Sequence, residues 1–156
     1  MSGPVPVDRS FIRVKALLIA PNDDRSAHAV SLNLPTAEHP AGYHRLIGGG
    51  VELGETHRDA IIREVDEELG ATIHDLELLA TVENIFRIDG VLGHEVVFVH
   101  TGRLDPQPAA SGATLTESDG SVVPVMWRPY DDAEEPLPLF PDAVRSILSR
   151  AMVVDR

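Results

Sequence analysis

Residues 48–71 read GGGVELGETHRDAIIREVDEELGA, a run of glycines followed by an acidic helical pattern. Thr56 is a suitable N-cap because its hydroxyl accepts a hydrogen bond from one of the first free backbone amides of a helix. Gly70 suits the left-handed conformation that ends many helices. The apolar residues between these ends recur at helical spacing and are Ile61, Ile62, Val65 and Leu69. The stretch therefore predicts a glycine-rich loop that leads into an amphipathic helix.

Three carboxylates follow one side of this predicted helix. At about 100° per residue, Glu64, Glu67 and Glu68 fall within an arc of roughly 100° beside the apolar face. Like charges three or four residues apart repel each other, and the negative end of the helix dipole adds to the repulsion. A bound divalent cation would remove both penalties, since hard cations such as Mg²⁺ prefer carboxylate oxygens. A solvated acidic face is the alternative interpretation, and the helix alone does not decide between the two.

The spacing of the polar residues is a more specific observation. Five residues separate Gly49 from Glu55, and seven more precede the run from Arg63 to Ala71, which reads REVDEELGA. This pattern resembles the Nudix box, and every polar and glycine position of the box is present. Ala71 differs slightly from the pattern of the box, because a larger aliphatic residue is usual at that position. The chain therefore looks like a member of the Nudix family.

The rest of the sequence favours an α/β fold. The expected strands are residues 11–20, 27–34, 44–47, 75–84, 94–102, 113–116 and 121–128. Residues 140–152 carry apolar side chains at helical spacing and predict a second helix. Several strands with two helices indicate a mixed β-sheet with flanking helices, and the resemblance likewise implies an α/β/α sandwich. We expect a flexible N-terminal arm at residues 1–10 and a single domain at residues 11–156.

Composition excludes several classes of protein and site. The chain has 156 residues, no cysteine and a formal net charge of -12. Disulfides and thiolate metal sites are therefore excluded. The negative charge argues against binding to a nucleic-acid polymer, which relies on basic patches. No apolar run is long enough to span a membrane and the N-terminus lacks the pattern of a signal peptide, so the cytoplasm is the expected compartment.

The resemblance implies a metal-dependent hydrolase. Nudix enzymes cleave a pyrophosphate bond in a nucleoside diphosphate linked to another group, with Mg²⁺ or Mn²⁺ as the cofactor. The expected substrate is therefore a small-molecule nucleoside diphosphate derivative. A pyrophosphate is anionic and repels hydroxide, so its catalyst must neutralise charge and orient one water. The alternative is a catalytically silent Nudix domain that senses a nucleotide or binds a partner, and a homodimer is left open.

By resemblance, most metal ligands lie on the acidic helix. The expected ligands are the Gly48 carbonyl and the carboxylates of Glu64, Glu67, Glu68 and, on a later strand, Glu95. Arg63 stands four residues before Glu67, so an ion pair within the helix would orient that carboxylate. The expected catalytic residues are Arg63, Glu64, Glu67 and Glu95.

The sequence leaves the general base open. The candidates are Glu55, Glu67, Glu95 and Glu117. Glu95 is preferred to Glu117 because it opens a strongly apolar strand, whereas Glu117 lies in a loop.

Substrate contacts are predicted from position alone. Arg45 and Arg87 are candidates for binding phosphate, and Phe86 is a candidate for stacking on a nucleobase. A solvated or structural role is the alternative for each of these three residues.

Overall fold

The computed structural model describes residues 10–154. The strands are β1 Arg13–Ile19, β2 Ala27–Asn33, β3 Tyr43–Gly50, β4 Thr72–Ile88, β5 Val91–Asp105, β6 Ala113–Thr116, β7 Val122–Pro129 and β8 Leu139–Phe140. The helices are α1 His57–Leu69 and α2 Ser149–Met152, with a 3-10 helix at Asp142–Ser146. Among the described residues, no helix is both long enough and apolar enough to cross a membrane. The predicted arm at residues 1–10 lies outside this range apart from Ser10.

The strands form a mixed sheet. Its hydrogen-bonded order is β4-β5-β1-β3-β2-β7-β6, and β8 adds to β3. The β1–β5 and β3–β8 pairs are parallel, and the remaining pairs are antiparallel. Strands β1 and β3 lie side by side near the middle of this order, so the glycines at the end of β3 have β1 as an immediate neighbour.

Alternate residues of β1 show how the two faces of the sheet are covered, since successive side chains of a strand point to opposite faces. Ala16 and Leu18 belong to an apolar cluster with three residues of α1, which are Ala60, Ile61 and Val65. Leu17 and Ile19 belong to a second cluster, which includes Val144 of the 3-10 helix, Ala151 and Met152 of α2, and Ile147 and Leu148 between the two helices. Helices therefore pack on both faces, and the predicted α/β/α sandwich is confirmed.

The prediction of one continuous helix over residues 140–152 is wrong. Phe140 belongs to β8 and pairs with Arg45 of β3. Pro141 precedes the 3-10 helix, in which the Ile147 amide donates to the Val144 carbonyl three residues earlier. An apolar pattern repeating every three or four residues fits a 3-10 helix as well as an α-helix, so the pattern does not separate the two.

Both predicted ends of α1 are confirmed. The Thr56 hydroxyl accepts a hydrogen bond of 3.1 Å from the Asp59 amide. Gly70 adopts a left-handed conformation with φ of 61°, and its amide donates to the Asp66 carbonyl. Short local signals therefore determine where this helix begins and ends, and with it the placement of its acidic residues.

Candidate active site

The glycines that end β3 lie directly against α1. A Cβ atom at Gly49 would lie 2.5 Å from the carboxyl carbon of Glu64, which is far too close for any side chain. Gly48 has φ of +136°, a conformation that favours glycine, and a Cβ there would collide with the backbone of β1. The Glu64 carboxylate therefore rests on the backbone of β3, and only glycine leaves room for it.

Arg63 joins acidic residues of the loop and the helix. Its Nε and Nη2 donate to the two carboxylate oxygens of Glu55 at 2.7 and 2.9 Å, a bidentate arrangement. Its Nη1 donates to Glu64 and to Glu67 at 3.1 Å each, and Nη2 also donates to the Gly50 carbonyl at 2.9 Å. These bonds lower the pKa of Glu55 to about 2 and raise the pKa of Arg63. The predicted Arg63–Glu67 ion pair is therefore present, and Glu55 is tied to the same guanidinium.

Glu68 is a nearly buried carboxyl group, with 8% of its surface exposed. Burial is the main cause that raises the pKa of Glu68 to about 9, and a hydrogen bond with Glu64 and the charge of Glu117 act in the same direction. Arg45 opposes them. Glu64 and Glu68 are one turn apart on α1, and Glu117, which directly follows β6, is near enough for its charge to act on Glu68.

Arg45 is a cation with free bonding capacity beside these carboxylates. Its Nη2 lies 3.9 Å from Glu117 Oε1, which is an ion-pair distance but too long for a hydrogen bond. Among the described residues, its buried Nε has no hydrogen-bond partner. A buried donor without an acceptor is unfavourable, so this guanidinium is suited to an anionic ligand.

Glu95 lies at the edge of this group. Its Oε1 accepts a hydrogen bond of 3.2 Å from Asn84, and its Oε2 lies 3.9 Å from Nζ of Lys15. Lys15 in turn lies in the electrostatic fields of Arg45 and Glu64. Sequence reasoning missed Lys15, although a charge inside the apolar strand pattern FIRVKALLIA was a usable signal.

Phe86 and Arg87 shape the hairpin between β4 and β5. Arg87 Nη1 donates to the Gly90 carbonyl at 3.0 Å, within the hairpin turn. The Phe86 ring covers Gly93 so closely that a Cβ at that position would collide with it. A substrate contact from either residue stays a prediction.

The hairpin turn is also bonded to the loop between β2 and β3. The Glu38 carboxylate accepts hydrogen bonds from the amides of Asp89 and Gly90 at 2.7 and 2.9 Å. In return, Asp89 Oδ1 accepts a hydrogen bond of 2.9 Å from the Ala37 amide. The two segments are therefore held together by reciprocal bonds to backbone amides.

The acidic group has the donor chemistry of a hard-cation site, although its side chains do not all converge. Within residues 10–154, no three carboxylate or imidazole side chains lie close enough together to hold one metal ion. Arg63 binds Glu67 on the solvent side, where 56% of that side chain is exposed. Glu64 and Glu68 are nevertheless one turn apart on α1, with Glu64 against a glycine backbone, and oxygen donors of this kind suit Mg²⁺ or Mn²⁺. The structure thus brings together two members of the ligand set predicted from the sequence.

Comparison with known proteins agrees with the pattern of residues 49–71. The NUDIX domain family model matches residues 13–149. The chain is similar to the MutT NUDIX hydrolase from Burkholderia pseudomallei, with 26% identity, a TM-score of 0.65 and coverage of 93% of this chain and 100% of that one. It also shares its fold with the E. coli dihydroneopterin triphosphate pyrophosphohydrolase, with 18% identity, a TM-score of 0.59 and coverage of 91% and 97%.

Proposed function

Because the chain belongs to the Nudix family, we propose that it is a metal-dependent hydrolase that cleaves a pyrophosphate bond in a nucleoside diphosphate derivative. The observation that carries this proposal is the position of the Glu64 carboxylate, which lies against the Gly49 backbone, with the buried Glu68 one turn further along α1. Arg63 supports the same arrangement, because it fixes the orientation of Glu64 from the next position along the helix. Two neighbouring carboxylates can hold a cation, whereas they repel each other and do not stabilise the fold.

The residues have distinct roles in this proposal. The ligands for Mg²⁺ or Mn²⁺ would be the Gly48 carbonyl, Glu64, Glu67 and Glu68, whereas the oxygens of Glu95 are engaged by Asn84 and Lys15. A cation held there neutralises charge on the pyrophosphate and lowers the pKa of a water molecule. Arg63 holds Glu64 and Glu67 in place through one nitrogen. Arg45 would contribute a guanidinium to the phosphates, because its side chain is 33% exposed and its contact with Glu117 is too long for a hydrogen bond.

Two carboxylates outside α1 compete for the role of general base. Glu95, which the sequence favours, is bound to Asn84 and paired with Lys15. Glu117 acts directly on the pKa of Glu68 and has only a loose contact with Arg45. A general base must be able to reach the attacking water, so we favour Glu117, which is loosely held, over Glu95, which is engaged by two partners.

Glu117→Gln is expected to lower kcat at least tenfold, a barrier increase of about 1.4 kcal/mol or more. Glu95→Gln is its matched control, because it makes the same chemical change and is expected to lower kcat less. Both variants should keep the wild-type melting temperature to within a few degrees. Steady-state kinetics on one substrate decides the order, and a larger loss of kcat in Glu95→Gln would restore Glu95 as the base.

Hydrolysis is expected to require a divalent cation. A panel of nucleoside diphosphate derivatives and nucleoside triphosphates is incubated with the protein in Mg²⁺, in Mn²⁺ and in chelator, and phosphate-containing products are quantified. We expect turnover of at least one compound with either ion and none in chelator, because the site offers only hard oxygen ligands. Nucleotide binding without turnover would favour the alternative, a catalytically silent domain that senses a nucleotide. Full turnover in chelator would show that the reaction needs no divalent cation.

The remaining expectations concern partners and location. A net charge of -12 supports a small-molecule substrate over a nucleic-acid polymer. A homodimer and a cytoplasmic location stay predictions, for which size-exclusion chromatography and cell fractionation are the direct measurements.

A further inference from the structure

Lys15 is the single lysine of the chain and lies on β1, next to the glycine strand. Only 13% of its side chain is exposed. An ammonium group in such a position is unfavourable unless a partner compensates for the lost hydration. Contact with water therefore does not account for a charged side chain at this position.

The ion-pair partner of Lys15, Glu95, compensates only in part for the lost hydration. Glu95 Oε2 lies 3.9 Å from Nζ, which is too long for a hydrogen bond. The other oxygen of Glu95 accepts from Asn84, so that carboxylate is held in place from the far side. Within residues 10–154, the N–H groups of Lys15 Nζ have no hydrogen-bond acceptor, so a ligand could supply one.

The surroundings of Lys15 contain more cations. Burial, followed by the charge of Arg45, lowers the pKa of Lys15 to about 8, and Arg13 acts in the same direction. Glu95 and Glu64 oppose this shift. Lys15 is therefore repelled by two neighbouring cations, and an anionic ligand bound beside it would relieve the repulsion.

We propose that Lys15 contacts the phosphate chain of the substrate, and that Glu95 positions its ammonium group for this contact. The inference rests on the proposed function, because it adds a substrate contact to the same site. Lys15 lies opposite Gly50 in the β1–β3 register, next to the glycines of the site. The charges of Arg45 and Glu64 both act on Lys15 at this position. An ammonium group with rotatable donors suits a phosphate oxygen whose direction changes during the reaction.

Because the chain has one lysine, amine acylation reports on Lys15 directly. Acetic anhydride transfers an acetyl group to the Nζ amine and releases acetate, and mass spectrometry of the Lys15 peptide gives the rate. Tripolyphosphate with Mg²⁺ is the probe, and we expect it to slow acylation of Lys15 at least fivefold relative to the α-amino group of the same chain. An unchanged rate at a saturating probe concentration would overturn the proposal.

Substitutions separate a phosphate contact from a structural role. Lys15→Met should raise KM at least tenfold, change kcat less than threefold and weaken tripolyphosphate binding measured by calorimetry. Lys15→Arg should recover part of that binding, because it restores the charge. Arg103→Met is the control for the lost charge, since Arg103 is an exposed residue paired with Asp23. If Lys15→Met binds tripolyphosphate as the wild type does, the proposal is wrong.

The two proposals fail in different ways. A wild-type protein that hydrolyses no compound of the panel contradicts the proposed function, and tripolyphosphate binding then still decides the role of Lys15. A wild-type protein that hydrolyses a nucleotide, with an unchanged KM in Lys15→Met, contradicts only the inference about Lys15. Should Lys15→Met fail to fold, protection from acylation in the wild type gives the answer without any variant.

Discussion

Glu64→Gln is expected to lower turnover about a thousandfold, which corresponds to about 4 kcal/mol of barrier, while leaving the fold intact. Glutamine keeps the shape of the side chain and nearly the same helix propensity, so α1 should persist. The amide still fits against Gly49, but it no longer offers an anionic oxygen to a cation. Loss of function without loss of structure is therefore the expected outcome.

Asp66→Asn is the matched control for Glu64→Gln. It removes one carboxylate charge from the same helix, but its side chain is exposed. Calorimetry of Mn²⁺ binding and thermal melts in chelator and in Mg²⁺ give the readout. Mg²⁺ should raise the melting temperature of the wild type and of Asp66→Asn but not of Glu64→Gln, because ligand binding stabilises only a protein that binds. A clear loss of stability of Glu64→Gln in chelator would instead show that its bond to Arg63 supports the fold.

Gly49→Ala is expected to lower turnover at least a hundredfold, or about 2.7 kcal/mol. A Cβ at this position would lie 2.5 Å from the Glu64 carboxyl carbon and 2.6 Å from each oxygen, so the carboxylate must move away from β3. Metal ligands act only at closely defined distances, and a displaced Glu64 would no longer meet the position that Glu68 defines. The substitution is therefore expected to displace the Glu64 carboxylate and to leave the backbone of β3 unchanged.

The adjacent glycine provides the comparison for Gly49→Ala. A Cβ at Gly50 would meet only Nη2 of Arg13, at an ordinary contact distance of 3.7 Å. Gly50→Ala should therefore keep turnover within a few-fold of the wild type, and both variants should melt within a few degrees of it. Kinetics and Mn²⁺ affinity of the two proteins test this pair. Equal losses in both would mean that the strand backbone, and not the position of Glu64, is the sensitive feature.

The parts of the fold that local sequence determines were predictable. Thr56 and Gly70 mark the ends of α1 because a capping hydroxyl and a left-handed glycine act within one helical turn. The Arg63–Glu67 pair follows from helical spacing alone. The sandwich followed from the number and type of elements together with the family resemblance.

The unpredicted features depend on contacts between distant segments. Lys15 meets Glu95 because β1 and β5 pair in parallel, with Arg13 opposite Glu95, and no local pattern specifies that register. Glu117 comes near Glu68 only through the position of β6 beside β7 in the folded sheet. The prediction for the C-terminal segment was wrong for a different reason. Apolar residues that recur every three or four positions fit both a 3-10 helix and an α-helix.

The reciprocal bonds between the β2–β3 loop and the turn of the β4–β5 hairpin have an evolutionary consequence. Surface loops ordinarily vary in length independently of one another. Here Ala37 and Glu38 meet Asp89 and Gly90 through backbone amides, so one residue inserted into either segment separates donors from acceptors. Insertions and deletions in these two segments are therefore expected to be inherited together, and homologues in which one segment has changed length should have rebuilt the other.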